Sequence, residues 1–150
     1  MEAILFIGIP ASGKSAFYKE RFFDTHVRIN LDMLKTRRRE ALILKACLES
    51  KQPFVIDNTN VLKSDRAPYI EQARSAGFRV VGYYFQSRLQ DALERNRRRK
   101  GKASIREKGL IAKHRQLQIP CPDEGFDQLF YVMMAPDNAG FLVEEWNDEI

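Results

Sequence analysis

Short apolar runs alternate with amphipathic stretches along this chain of 150 residues. Five apolar runs, each bounded by polar or turn-forming residues, predict β-strands: Ala3–Ile7, Val27–Asn30, Phe54–Asp57, Phe78–Phe85 and Leu129–Met133. Between these runs, apolar residues recur at the three- and four-residue spacing of helices. The alternation of strands and helices predicts an α/β fold with three layers and a mostly parallel, five-stranded sheet.

The most informative stretch follows the first predicted strand and reads G-x-x-x-x-G-K-S. It consists of Gly8, Ile9, Pro10, Ala11, Ser12, Gly13, Lys14 and Ser15. A strand, this loop and a helix, in that order, form the phosphate-binding loop of P-loop enzymes, in which backbone N–H groups face one concavity at a helix N-terminus. Lys14 would reach the β- and γ-phosphates and Ser15 would ligate Mg²⁺, so the sequence predicts binding of ATP and Mg²⁺. A glycine turn that carries Lys-Ser by chance is the alternative.

Polar residues follow the third predicted strand. An apolar strand that ends in an acidic residue, here Asp57, is the Walker B pattern, in which the carboxylate supports the Mg²⁺ ion. Asp also ends strands simply because it favours turns. Asn58, Thr59 and Asn60 come next, and the carboxyl ends of parallel strands line the ligand crevice. We therefore expect these side chains to face the substrate.

The positive charge of the chain is concentrated in one segment. Residues 88–115 carry eleven Lys and Arg against three acidic residues, whereas the remainder carries fourteen against seventeen, within a net charge of +5. This imbalance favours a polyanionic partner, either a nucleotide or a nucleic acid, and a solvated basic helix is the alternative. Arg95 and Arg99 are four residues apart and are predicted to share a helix face, with a mobile, arginine-bearing flap after Gly101.

Composition limits the remaining possibilities. The length is that of one domain, residues 1–150, and no stretch approaches the length of a membrane span. Cys47 and Cys121 lie far apart without metal-ligand spacing, which is typical of reduced thiols in a cytoplasmic protein. The acidic stretch Glu144–Glu149 is interpreted as a short surface segment.

Four elements together suggest a family: G-I-P-A-S-G-K-S, I-N-L-D, V-I-D-N-T-N and R-N-R-R-R. Their order and spacing resemble the kinase domain of polynucleotide 5′-hydroxyl kinases and the broader group of small bacterial, AAA-type P-loop kinases. The resemblance runs from about Ala3 to Met133. It implies transfer of the ATP γ-phosphoryl group to a hydroxyl.

The resemblance also implies roles for individual residues. Asp32 matches the general base, whereas from the sequence alone it could equally cap the helix that follows. Arg95 and Arg99 match two lid arginines that stabilise the transferred phosphoryl group, and Lys14 would neutralise the phosphates. Lys35 stands where the family has an arginine that binds the acceptor phosphate, and Arg37 is a further candidate for that contact. Leu31 replaces an arginine that is frequent before the base.

Three functions are therefore open. The first is a kinase that acts on the 5′-hydroxyl of RNA or DNA, with the nucleic acid end as its partner. The second is a kinase for a small metabolite or nucleoside, which would use the same catalytic residues with another acceptor pocket. The third is a nucleotide-hydrolysing switch or binding module. The sequence contains no Asn-Lys-x-Asp guanine-reading element, which argues against this third function.

Overall fold

The computed structural model describes residues 1–99, 105–136 and 139–150, which form one sheet with helices on both faces. In chain order the elements are β1 (Glu2–Ile7), α1 (Lys14–Arg21), β2 (Val27–Ile29), α2 (Leu31–Leu34), α3 (Arg37–Ser50), β3 (Phe54–Ile56), α4 (Lys63–Ser75), β4 (Arg79–Phe85), α5 (Leu89–Arg98), α6 (Glu107–Gln116), β5 (Gln128–Met134) and β6 (Phe141–Glu145). A short 3₁₀ helix, Pro122–Glu124, precedes β5. Within these ranges no helix combines the length and apolar character needed to cross a membrane.

The sheet has six strands in the order β2-β3-β1-β4-β5-β6, and the predicted count of five was wrong. Strands β1 to β5 run parallel to one another, as predicted, whereas β6 pairs antiparallel with β5. Glu144 and Glu145 are exposed, as predicted for a surface segment, but they belong to this sixth strand. Phe141 and Val143 alternate with more exposed residues, which is the pattern of an edge strand, but the acidic residues that follow obscured it.

The central strand β1 is covered on both faces. Its residues Ala3, Leu5 and Ile7 pack in the core formed with α3 and α4, whereas Ile4 and Phe6 pack against α1. This alternation explains why β1 reads as a continuous apolar run in the sequence. The loops that follow β1, β2 and β3 meet at one edge of the sheet, where the carboxyl ends of parallel strands form the usual ligand crevice.

The region after β4 differs from the prediction in one respect. Helix α5 ends at Arg98, and Arg99 has an extended backbone, so Arg95 and Arg99 do not share a helix face. The side chain of Asn96 links α5 to the backbone just before α6. Its Nδ2 donates to the Ile105 carbonyl (2.7 Å), and its Oδ1 accepts from the Ile105 N–H (3.0 Å). Most of the predicted flap, residues 101–104, lies outside the described residues.

Candidate active site

The loop between β1 and α1 has the backbone conformation of an anion-binding nest. Ala11 (φ 63°) and Gly13 (φ 99°) are both left-handed, and Gly13 is the N-cap of α1. The start of the loop is fixed by the Gly8 N–H, which donates to the Thr59 carbonyl (2.9 Å). Left-handed residues at a helix N-terminus turn successive N–H groups toward one point, which suits a phosphate.

Gly13 also lies against the β5–β6 hairpin. A Cβ atom at this position would lie 2.7 Å from Cε of Met134 and 3.0 Å from Cε1 of Phe141. The Phe141 ring in turn packs against Phe17 of α1, with 5.1 Å between the ring centroids. Glycine is favoured here by its positive φ, and the Phe141 ring leaves little room for a Cβ atom, whereas the terminal methyl of Met134 can move.

Lys14 is folded back onto the loop that carries it. Its Nζ donates to the carbonyls of Gly8 (3.0 Å) and Ile9 (2.8 Å), and it lies 3.4 Å from Oγ of Ser12. Burial lowers the pKa of Lys14 to about 8, since desolvation disfavours its charged form. Asp57 and Asp32 raise this pKa and Arg99 lowers it, so these three charged side chains all act on the ammonium group.

Ser15 and Asp57 are joined directly. The Ser15 hydroxyl donates to Oδ2 of Asp57 (3.0 Å), and the Asp57 side chain is only 1% exposed. Arg28 of β2 donates to both groups, from Nε to Oδ2 of Asp57 (2.8 Å) and from Nη2 to Oγ of Ser15 (3.0 Å). The Ser15 hydroxyl and the buried Asp57 carboxylate are oxygen ligands of the kind that bind a divalent cation. Such a cation would take its other ligands from phosphate and water. The described residues hold no cluster of three or more His, Cys, Asp or Glu that could bind a metal by themselves.

Asp32 is the second residue of the one-turn helix α2 and does not cap it. Asn30 is the N-cap, because its Oδ1 accepts from the Met33 N–H (2.9 Å). Asn30 also donates to the Asp57 carbonyl (2.5 Å), and Oδ1 of Asn58 accepts from the Leu31 N–H (2.8 Å). A single helical turn is unstable alone, so these two amides hold it in place. They leave the Asp32 carboxylate exposed toward the cleft.

A buried polar network lies behind α2. The Glu40 carboxylate accepts from the Tyr69 hydroxyl (2.7 Å), Nη1 of Arg37 (3.0 Å) and Nδ2 of Asn58 (3.1 Å). Burial, reinforced by Glu40, raises the pKa of Tyr69 to about 12, so the phenol remains a proton donor. The network therefore fixes the orientation of Asn58, and through it the start of α2.

The two predicted lid arginines have different surroundings. Arg95 donates from Nε to the Ala11 carbonyl (2.5 Å), which ties α5 to the phosphate loop, and burial lowers its pKa. Arg99 is exposed and lines the cleft, and its charge acts on Lys14. Of the two, Arg99 has the position expected of a residue that contacts a phosphate.

A cleft of about 1040 Å³ brings most of the predicted site residues together. Among the described residues, its lining includes Pro10, Ala11, Gly13, Lys14, Ser15, Asp32, Arg37, Asp57, Asn58, Thr59, Asn60 and Arg99. Five predicted site residues are not among the described lining residues of the cleft. Three of them lie in the phosphate loop and contact Lys14, namely Gly8, Ile9 and Ser12. The other two are Lys35 and Arg95. Asn60 is buried and donates to the Phe6 carbonyl (2.8 Å), so it supports β1.

Sequence reasoning missed three residues at this site: Arg28, Glu40 and Tyr69. Arg28 carried little signal, because β2 is an edge strand with Val27 exposed, and a charged residue is common in such a strand. Glu40 and Tyr69 are a helix acid and a helix tyrosine, and nothing in the local pattern links them. Only the placement of α3 and α4 on the same face of the sheet brings them together.

The fold and the site define a P-loop, kinase-like α/β protein. A family model described as an AAA domain matches residues 4–118, and the chain belongs to this family. The observed fold and the family match both agree with a phosphate loop that follows the central strand β1.

Three proteins show what this chain is similar to. The bifunctional polynucleotide phosphatase/kinase of Schizosaccharomyces pombe is 26% identical over 129 residues, which cover 83% of this chain and 32% of that protein. The chain thus spans about a third of the length of this curated relative. The structure of Chaetomium thermophilum Kti12 in complex with ADP-AlF3 matches with a TM-score of 0.68 at 17% identity, over 91% of this chain and 92% of that one. A gluconokinase from Sinorhizobium meliloti 1021 matches with a TM-score of 0.66 at 18% identity, over 92% and 85%. Both structural matches show the fold.

Proposed function

We propose that residues 1–150 form one kinase domain that transfers the γ-phosphoryl group of ATP to a hydroxyl, with the 5′-OH of RNA or DNA as the acceptor. The observation that carries this proposal is the position of Asp32. Its carboxylate faces the same cleft as Lys14, Ser15 and Asp57, on a helical turn held by Asn30 and Asn58. A hydrolytic switch needs no side chain that accepts a proton from an acceptor hydroxyl.

The reaction assigns one task to each charged group. Asp32 accepts the hydroxyl proton as the acceptor oxygen bonds to the γ-phosphorus, and the bond from that phosphorus to the β–γ bridging oxygen breaks in line to release ADP. Lys14 exchanges its loop carbonyls for the phosphates, and Arg99 stabilises charge on the transferred group. Ser15 and Asp57 would hold Mg²⁺, which neutralises phosphate charge when it is bound.

Positive charge beside Asp32 supports a nucleic acid acceptor. Four basic residues surround Thr36, the N-cap of α3: Lys35, Arg37, Arg38 and Arg39. Arg37 lines the cleft that holds Asp32. Cations at a helix N-terminus repel the helix dipole, so this arrangement suits an anion that neutralises both. The similarity to the polynucleotide phosphatase/kinase of fission yeast points the same way.

A small hydroxylated acceptor is the second candidate, supported by the opposite wall of the cleft. Ser64, Asp65, Tyr69 and Gln72 of α4 line it and offer hydrogen-bonding groups of the kind that bind sugars. The structural neighbour named as a gluconokinase is consistent with this choice. Under either candidate, an ATP-dependent reaction and the free thiols of Cys47 and Cys121 support a cytoplasmic location.

The test is transfer of labelled phosphate from ATP to a panel of acceptors: 5′-hydroxyl RNA and DNA oligonucleotides, nucleosides, sugars and hydroxy amino acids. We expect 5′-labelled oligonucleotides and a loss in kcat of about 10²–10⁴ for Asp32→Asn in single-turnover transfer, because an amide cannot take the proton. Asp24→Asn, an exposed aspartate after α1, is the matched control.

Each outcome of this test separates the candidates. Labelled sugars or nucleosides would select the small-molecule kinase. Release of inorganic phosphate without any labelled acceptor would select the switch or binding module. A wild-type rate in Asp32→Asn would remove Asp32 from the mechanism.

A further inference from the structure

Arg28 reaches into the candidate active site from the edge strand β2. It lies in the middle of the three-residue strand β2, opposite Val55 of β3, and its side chain is only 27% exposed. The guanidinium reaches past the end of β3 and contacts Asp57 and Ser15 at the same time. Its Cζ also lies 6.0 Å from the centre of the Tyr18 ring, and Nη1 lies 3.8 Å from Sδ of Met33.

These contacts give the buried carboxylate its counter-charge. Asp57 is 1% exposed, and a buried carboxylate is costly unless a positive group pairs with it. Arg28 supplies that charge at 2.8 Å and also satisfies the hydroxyl that donates to the same carboxylate oxygen. The guanidinium therefore acts on the Ser15 and Asp57 oxygens that the proposed function assigns to the divalent cation.

A guanidinium and a divalent cation cannot contact the same two oxygens together. Their mutual repulsion at such short range is large, and the oxygens have few free lone pairs left once Arg28 is bound. The long arginine side chain can leave toward solvent, because about a quarter of it is already exposed. Its departure is favourable when another cation takes over the charge of Asp57.

We propose that Arg28 is a positioning residue that holds Ser15 and Asp57 as an internal cation and competes with the divalent ion for them. Metal then binds well only when nucleotide phosphates supply further ligands, so the ion enters with ATP and not before it. This inference rests on the proposed function, because that proposal places the ion at Ser15 and Asp57.

The test measures metal binding without turnover. Mn²⁺ alone is titrated into the nucleotide-free protein and followed by the electron paramagnetic resonance signal of the free ion. Arg28→Gln and Arg28→Met remove the charge and keep much of the side-chain volume. We expect both to bind Mn²⁺ about tenfold or more tightly than the wild type, because a competing cation next to the site is lost. Arg74→Gln, which removes an equal charge from the far end of α4, should leave the affinity unchanged.

A second comparison tests where the gain arises. In the double variant Arg28→Gln/Asp57→Asn, the tighter Mn²⁺ binding should disappear, because the carboxylate that it depends on is absent. Should the uncharged variants fail to fold by circular dichroism, Arg28→Lys carries the test. Its ammonium lacks the fork that spans both groups, so we expect a gain of about threefold.

The outcomes distinguish this inference from the function on which it rests. Wild-type Mn²⁺ affinity in the folded Arg28 variants, in a protein that binds Mg·ADP normally, would overturn the role of Arg28 alone. A gain that persists in the double variant would also overturn it. A wild-type protein that fails to bind Mg·ADP would overturn the proposed function.

Discussion

Replacing Lys14 by methionine should change how the stability of the nucleotide-free protein depends on pH. Methionine keeps the length of the side chain and removes its titration. In the folded chain, burial lowers the pKa of Lys14 from 10.5 to about 8. The unfolded chain keeps the ordinary value, so between these two pH values the unfolded state holds a proton that the folded state has lost.

The sign and size of the effect follow from this difference. Because the unfolded state binds more protons in this window, the free energy of unfolding of the wild type rises with pH, relative to Lys14→Met. The burial penalty of the ammonium is fully present below pH 8 and is gone above pH 10.5. At about 1.4 kcal/mol for each pKa unit, the relative gain across the window is roughly 3 kcal/mol.

Urea denaturation at pH 7, 8, 9 and 10, followed by the fluorescence of Trp146, measures this effect. The quantity of interest is the stability of the wild type minus that of Lys14→Met, since other alkaline titrations cancel in the difference. Lys19→Met, on the exposed side of the same helix, controls for the loss of a lysine charge. A difference that stays flat from pH 7 to 10, or one that falls, would refute the buried position of Lys14.

Three further substitutions test other parts of the site. Arg99→Ala should lower kcat by about 10²–10³ with an unchanged melting temperature. The control is Arg97→Ala, which should leave kcat nearly unchanged, because Arg97 is exposed and pairs with Glu107. Equal values of kcat in the two variants would remove Arg99 from the mechanism. Asn30→Ala should reduce the free energy of unfolding by about 1 kcal/mol in urea, because α2 loses its cap, and an unchanged value would contradict that assignment. Gly13→Ala should reduce the free energy of unfolding by about 1–3 kcal/mol through its positive φ and the nearby Phe141 ring. A wild-type free energy of unfolding in Gly13→Ala would contradict this prediction and would show that the loop can adopt another backbone conformation.

The parts of the site that sequence predicted are those encoded by neighbouring residues. Lys14 and Ser15 follow a glycine at fixed spacing, and Asp57 directly follows an apolar strand, so the local pattern was sufficient to propose them as site residues. The parallel sheet confirmed that these segments meet at one edge. The role of Asp32 stays a prediction, although the structure assigns the helix cap to Asn30 and leaves the carboxylate facing the cleft.

The parts that sequence missed depend on distant partners. Glu40 and Tyr69 meet only because α3 and α4 pack on the same face of the sheet. Arg28 pairs with Asp57 only because β2 lies next to β3, and strand order cannot be deduced from the apolar pattern alone. Strand β6 was missed since its two inward residues, Phe141 and Val143, are followed by acidic residues that dominate the local composition.

The contact of Gly13 with the β5–β6 hairpin has a consequence for the synthesis of the chain on the ribosome. The phosphate motif is translated before Met134 and Phe141, which pack on Gly13. A nascent chain therefore carries the motif without the packing that holds it, and domains fold as units once their parts have emerged. Since a ligand stabilises only the state that it binds, a nucleotide at the proposed site would stabilise only those chains in which this packing is already formed.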